Sequence, residues 1–424
     1  MEFLIIIIFV AGYLAIALEH PLKIDKAVSS ILLGVITWTC YALFTSEHHL
    51  IEEKLNEMLP EIMNILFFLL GAMTIVELID MHEGFRVVTN QITTSNKRKL
   101  LFTTSVLAFF LSAVLDNLTT AIVMASLLRK LIPGKEDRLV FASMIVIAAN
   151  AGGAWTPIGD VTTTMLWIGE RISTVNIMKE LFIPSLICLF VPLIYQSFFL
   201  KGDFETRHVA TEYHTTAFER NLMLGLGLGG LIFVPVFKTI THLPPFMGMF
   251  FSVGIMWLTT ELLHKKKESE EKKKYSTIHA LSRIDSASIL FFFGILSAVG
   301  CLGAIGALQD AAVFLTNTVG NLDIIIFLIG LLSAVVDNVP LVAAVMKMYS
   351  VEQFPMDHRI WEFLAYAAGT GGSLLIIGSA AGVAIMGIEK IEFFWYMRRI
   401  TFTGFLGYTA GAITYLGFAH FFGH

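Results

Sequence analysis

The word Leu111-Ser112-Ala113-Val114-Leu115-Asp116-Asn117 recurs as Leu332-Ser333-Ala334-Val335-Val336-Asp337-Asn338. Each copy stands near the middle of an apolar stretch, Leu100–Ile132 and Leu322–Met348, otherwise fit for the interior of a bilayer. An ionised side chain at the centre of a spanning helix costs about 2.5–3.5 kcal/mol or more. Two such carboxylates in matched contexts restrict the chain to folds that turn them away from lipid. They also point to a functional site.

The rest of the chain fits that setting. Of its 424 residues, 56% are hydrophobic and only 15% charged, with a mean hydropathy of +0.74. A soluble protein carries roughly 25% charged residues. The apolar stretches are long and continuous, which excludes a barrel of alternating segments and reads as a polytopic all-α membrane protein. A net charge of −5 offers no basic field to nucleic acid. Cys40, Cys188 and Cys301 all lie in apolar stretches, with neither metal nor disulfide spacing. The first segment, Phe3–Leu18, lacks a basic n-region and a small-residue cleavage site, so it reads as a retained helix.

Apolar windows place spans at Phe3–Leu18, Ala27–Thr45, Ile62–Ile79, Leu139–Trp167, Leu181–Leu200, Leu222–Phe237, Phe246–Leu263, Ala287–Ile305, Trp361–Ile388 and Phe402–Phe421. Lys and Arg orient them. Lys23, Lys26, Lys97, Arg98, Lys99, Arg129, Lys130, Lys135, Arg138, Lys201, Arg207, Arg220, Lys265–Lys267, Lys272–Lys274, Lys390, Arg398 and Arg399 all fall in the cytoplasm if the two motif regions enter and leave on one side. The motif regions then read as re-entrant hairpins, with about ten spans in total and both termini outside. Lys347 and Arg359 are the exceptions. Gly306–Asp323, without Lys or Arg, fits the outside, and His264–Ile284 reads as a solvated cytoplasmic loop. Glu47–Glu61 is amphipathic and reads as lying along the outer surface.

The duplication extends beyond the opening word. Asp337 follows Asp116 by 221 residues (337 − 116), and Gly371 follows Gly152 by 219 (371 − 152). Ile158-Gly159 likewise matches Ile377-Gly378. The halves are residues 1–200 and 220–424, joined by a cytoplasmic linker at 201–219. Each holds an odd number of spans plus one hairpin. The second half is therefore inverted relative to the first, a signature of secondary transporters.

Gly152, Gly153, Pro157 and Gly159 interrupt one long apolar segment, and Gly369, Gly371, Gly372 and Gly378 its counterpart. Both read as helices broken near the midplane, although glycine also lets helices pack closely. Asn150, Thr156, Asp160, Thr162, Thr163 and Thr164 surround the first break, whereas Ser379 stands opposite Asp160. A hard cation prefers such oxygen ligands. Burial disfavours the charged form of a carboxylate, so a proton and a cation can compete for one. Asp116 and Asp337 also suit a helix N-cap. Glu77 and Asp80, near the cytoplasmic end of the third span, read as reaching headgroups or a loop partner. No Lys or Arg is expected near the breaks.

Ser112-Ala-Val-Leu-Asp116-Asn117-Leu-Thr119-Thr120-Ala, then Asn150-Ala-Gly-Gly-Ala-Trp-Thr156-Pro157-Ile-Gly159-Asp160, resemble the NhaD-type sodium/proton antiporters of the ion transporter superfamily. Ser333-Ala-Val-Val-Asp337-Asn338-Val-Pro340 and Gly369-Thr370-Gly-Gly-Ser373 fit as well. The resemblance covers nearly the whole chain. It implies exchange of Na⁺ and Li⁺ for H⁺ in a cell membrane (the bacterial inner membrane), by a homodimer without a cofactor. It also implies an elevator in which transport elements (100–200 and 322–424) move against scaffold spans (3–79 and 222–305). The implied ion and proton site is Asp116, Asn117, Asn150, Thr156, Asp160, Thr162, Asp337 and Asn338, with Na⁺ on Asp116, Asn117 and Asp160. Ser112, Thr119, Ser333, Thr370 and Ser373 would supply supporting oxygens. The alternative is an arsenite- or dicarboxylate-like anion transporter of the same architecture, which would be expected to carry uncharged hairpin tips.

Overall fold

The structure, a computed structural model, describes residues 2–45, 48–89, 92, 94–204, 214–265 and 269–422. Among these, regular structure is helical apart from one isolated bridge between Asn96 and Asp203. Arg207, Lys266 and Lys267 of the orienting charges, and Glu47, lie outside the described residues.

The chain opens with α1 (Glu2–Ala17), α2 (Glu19–Leu22), α3 (Lys26–Phe44), α4 (His48–Met81) and α5 (Arg86–Thr89). The first motif follows as α6 (Lys97–Leu115) and α7 (Asn117–Leu131), which meet at Asp116. Residues 154–160 separate α8 (Lys135–Gly153) from α9 (Val161–Ile168), and α10 (Thr174–Ser197) ends the half. The second half begins with α11 (Ala217–Thr241), α12 (Pro245–Leu263), α13 (Ser269–Lys274), α14 (Thr277–Arg283), α15 (Ser286–Ala304) and α16 (Ala307–Val319). Then α17 (Leu322–Leu332) and α18 (Asn338–Met348) flank the second motif. The last elements are α19 (Arg359–Gly371), α20 (Ala380–Glu389), α21 (Phe393–Arg399) and α22 (Thr401–Phe422).

Among the described residues, seven helices are long and apolar enough to cross a membrane: α3, α4, α6, α10, α11, α12 and α15. The pair α16 and α17, bent by 115°, makes an eighth if taken as one span. Large apolar side chains such as Leu32, Val35, Leu43, Phe251 and Leu258 stay exposed on these helices, as a lipid-facing surface requires. The protein is a multi-pass membrane protein. The expected spans Leu139–Trp167 and Trp361–Ile388 are each split in two, at the predicted glycines.

Gly306–Asp323, which carries no Lys or Arg, contains α16, which packs on α15, α17 and α18 through Leu308 and Ala312. Two readings are corrected. The acidic stretch before Glu61 does not lie apart. It is the first part of a single 34-residue helix, α4, that runs through Pro60. Nor is His264–Ile284 fully solvated. His264, Tyr275 and Thr277 are buried, the ring nitrogens of His82 and His264 approach to 3.1 Å, and Arg283 pairs with Glu77 at 2.7 Å. Glu77 thus finds the loop partner expected of it.

Packing sorts the helices into two groups. One joins α1, α3, α4, α11, α12, α14 and α15. The other joins the motif helices and broken helices with α10 and α22. Within the second group the halves repeat the same contacts. Ser112 Oγ donates to the Ala149 carbonyl (2.6 Å), and Ser333 Oγ donates to the Ala368 carbonyl (2.8 Å). A Cβ on Gly152 would collide with the Phe109 carbonyl, and one on Gly371 with the Gly330 carbonyl. Both glycines therefore mark helix crossings too close for any side chain. Two arginines meeting one buried carboxylate add a clasp between the halves. Arg129 (2.8 Å) and Arg138 (2.7 Å), at the ends of α7 and α8, grip the two oxygens of Glu389 on α20.

Gly371→Ala should destabilise the protein by about 1–3 kcal/mol or prevent its recovery, because the obstacle is backbone. Gly229→Ala, with nothing within 4 Å of the added Cβ, should leave thermal unfolding in detergent within experimental error of the parent. Equal melting of the two variants would contradict the crossing.

Candidate functional site

Four helices begin at one place. Asp116 caps α7, Asp160 caps α9, Asp337 caps α18 and Ser379 caps α20. Each cap side chain accepts a backbone N–H of the helix it starts. The local sequence dictates these breaks. Short oxygen-bearing side chains satisfy the orphan N–H groups that a broken helix leaves at membrane depth. At α9 the closure is a full capping box between Asp160 and Thr163.

Asp160 is the hub, with 1% of its surface exposed. Its Oδ1 accepts from the backbone N–H and the hydroxyl of Thr162, both at 2.8 Å. Its Oδ2 accepts from Asn117 Nδ2 of the first motif at 2.6 Å. Asn338 Nδ2 of the second motif stands 3.5 Å from both oxygens. Asn117 Nδ2 also reaches Asn150 Oδ1 at 3.0 Å. Asn150 in turn donates to the hydroxyls of Ser373 and Ser379, each at 2.9 Å. One hydrogen-bonded cluster therefore draws on both motif tips and both helix breaks. The two tip asparagines both donate to the cluster through nitrogen.

The two tip aspartates differ. Asp116 sits at φ 91°, a backbone region that L residues rarely adopt. Its carboxylate binds the N–H (2.8 Å) and hydroxyl (2.9 Å) of Thr119, and with Asn117 and Asp160 it lines a cavity against Phe68 and Leu69 of α4. Asp337 has ordinary φ (−49°). It turns from the cluster toward Lys26, whose Nζ lies 3.4 Å from its carboxylate. The expectation that no Lys or Arg lies near the breaks is thus corrected. Lys26, assigned to the cytoplasmic headgroups, begins α3 and reaches the second tip.

The other expected residues divide by partner. Asn117, Asn150, Thr162, Asn338 and Ser373 belong to the cluster. Ser112 and Ser333 brace the motif helices as described, and Thr156 does the same by donating to the Ala113 carbonyl at 2.6 Å. Thr370 bonds the Tyr366 carbonyl one turn back in its own helix. These hydroxyls hold the scaffold of the site and do not face its centre. Thr119 serves Asp116 alone. Ser379 joins the site beyond the expected set, and its signal in the sequence was its match to Asp160 after the repeated Ile-Gly.

Known proteins bear on this arrangement. A family model described as "Citrate transporter" matches residues 3–371. "Sodium/proton antiporter 1" of Arabidopsis thaliana is 46% identical over 412 residues, covering 97% of this chain and 71% of that protein. "Na(+)/H(+) antiporter NhaD" of Alkalimonas amylolytica is 31% identical, covering 98% of this chain and 90% of that one. The protein of the same name from Vibrio cholerae is 30% identical, covering 98% and 91%.

Asn150 bonds three residues from two separate segments, so Asn150→Ala should cost about 1–3 kcal/mol by leaving buried partners unmet. A detergent melt at unchanged temperature would show that the cluster is not connected as described.

Proposed function

This chain belongs to the citrate-transporter family, among its NhaD-type sodium/proton antiporters, and on that premise we propose that it exchanges Na⁺, and Li⁺, for H⁺. It is a secondary transporter and not an enzyme. The observation that carries the ion assignment is the cap chemistry. Four helix N-termini aimed at one buried point present partial positive charge and would by themselves suit an anion. Here Asp116, Asp160 and Asp337 occupy three of the four caps. The negative charge is built into the chain, so the site suits a cation. This argues against the arsenite- or dicarboxylate-like alternative, in which the substrate itself would supply the negative charge.

In this reading Na⁺ binds between Asp116 and Asp160, with the Oδ1 of Asn117 as a neutral ligand and Asn338 and Thr162 close by. Ionised, Asp160 is held by the donors already around it. Protonated, it loses its charge and the cation is released. Competition for the same carboxylates couples the two fluxes without a further device. Asn150, Ser373 and Ser379 hold the donors in place.

The same proposal takes the halves as inverted repeats with two re-entrant hairpins, and takes the group containing α6–α10 and α17–α22 as the moving body of an elevator. A homodimer in a cell membrane, with both termini outside, completes it. The support is the repeated contact set of the two halves and the placement of Lys and Arg along the chain.

Purified protein in vesicles loaded with a pH dye tests the exchange. Added Na⁺ or Li⁺ should alkalinise the lumen of acid-loaded vesicles, and the Na⁺ concentration for half-maximal exchange should rise as pH falls, since protons compete. Asp160→Asn should reduce the signal to that of empty vesicles. Uptake of citrate, succinate or arsenite without any Na⁺ response would overturn the reading, and full exchange by both Asp160→Asn and Asp116→Asn would remove the site.

A further inference from the structure

Lys26 lies between the two motif tips. It lines the cavity that holds Asp116, Asn117 and Asp160, and it also lines a second cavity on the far side with Tyr13 and Asp337. Its ammonium is 3.4 Å from the Asp337 carboxylate and 4.5 Å from the centre of the Phe291 ring of α15. The two side chains of the ion pair are 21% and 17% exposed. Lys26 is the first residue of α3, an end where the helix dipole disfavours a cation. The Asp337 carboxylate and the Phe291 ring offset that cost. Among the described residues no Lys or Arg is paired with Asp116 or Asp160 in this way.

From this placement we infer that Lys26 is a tethered cation, a residue of the chain that occupies the second tip in place of a transported ion and confines Na⁺ to the first-half carboxylates. This rests on the sodium/proton reading above and adds a specificity-determining residue to it. The doubled motif would otherwise present two similar cation positions. Lys26 neutralises Asp337 without filling the first cavity. The pair also spans the two helix groups, since α3 belongs to one and the α17–α18 tip to the other.

Charge balance makes the inference testable. Losing Lys26 alone leaves an uncompensated negative charge beside the Na⁺ site. Losing Asp337 alone leaves a positive one. Losing both restores balance. In dye-loaded vesicles, Lys26→Gln should lower the Na⁺ concentration for half-maximal exchange by about threefold or more, and Asp337→Asn should raise it by about as much. The double variant should return toward the parent value, and Lys26→Arg should match the parent. Lys26→Met replaces Lys26→Gln if the latter is not recovered as a monodisperse protein. A purely structural pair would instead weaken both single variants in the same direction, with the double no better. That order, or a parent value in the Lys26 variant, overturns the inference. A parent protein with no Na⁺ response overturns the sodium/proton reading instead, so the two failures are distinct.

Discussion

A carboxylate as enclosed as Asp160 can exist at bilayer depth only if its own chain supplies the donors that water would have given. That requirement organises the fold around it. The amide of Asn117 must arrive from one motif tip and that of Asn338 from the other. Both helices carrying them must therefore stop and restart at the same depth. The breaks at 116, 154–160, 333–337 and 372–379 are the geometric price of bringing four chain ends to one buried group. The glycines then let the motif helices cross the broken helices closely enough for those ends to meet.

The same convergence explains how one architecture can serve opposite charges. Helix N-termini attract anions whatever the residues at their caps. What the cap side chains decide is whether that attraction is already satisfied. Carboxylates at three of the caps here supply the negative charge from the chain itself. Thus the sign of the cargo can follow from very few side chains while the helices, their crossings and their braces stay the same.

Much of this was legible in the sequence, for a definite reason. A polar residue in an apolar run is costly, so Asp116, Asn117, Asn150, Asp160 and Asn338 stand out singly, and the repeat pairs Asp116 and Asn117 with Asp337 and Asn338. Ser379 was visible as the counterpart of Asp160, yet a serine in an apolar helix costs too little to be singled out. Lys26 could not be read at all. It sits at a span end, where a lysine ordinarily marks the cytoplasmic surface, and its partner lies 311 residues away. The length of α4 was hidden because its first turns are acidic and amphipathic, as a surface segment is.

The clasp on Glu389 bears on how such a chain comes to be folded. Its carboxylate is buried on α20, while the arginines that meet it were made 260 and 251 residues earlier. Until α20 arrives, Arg129 and Arg138 lack the anion that neutralises them, and Asn150 lacks Ser373 and Ser379. The first half, though it carries its own copy of every motif, is thus a half-built object while the ribosome is still working. Duplication here produced two similar strings of residues but not two folding units. Neither string has a complete interior until the other is threaded against it.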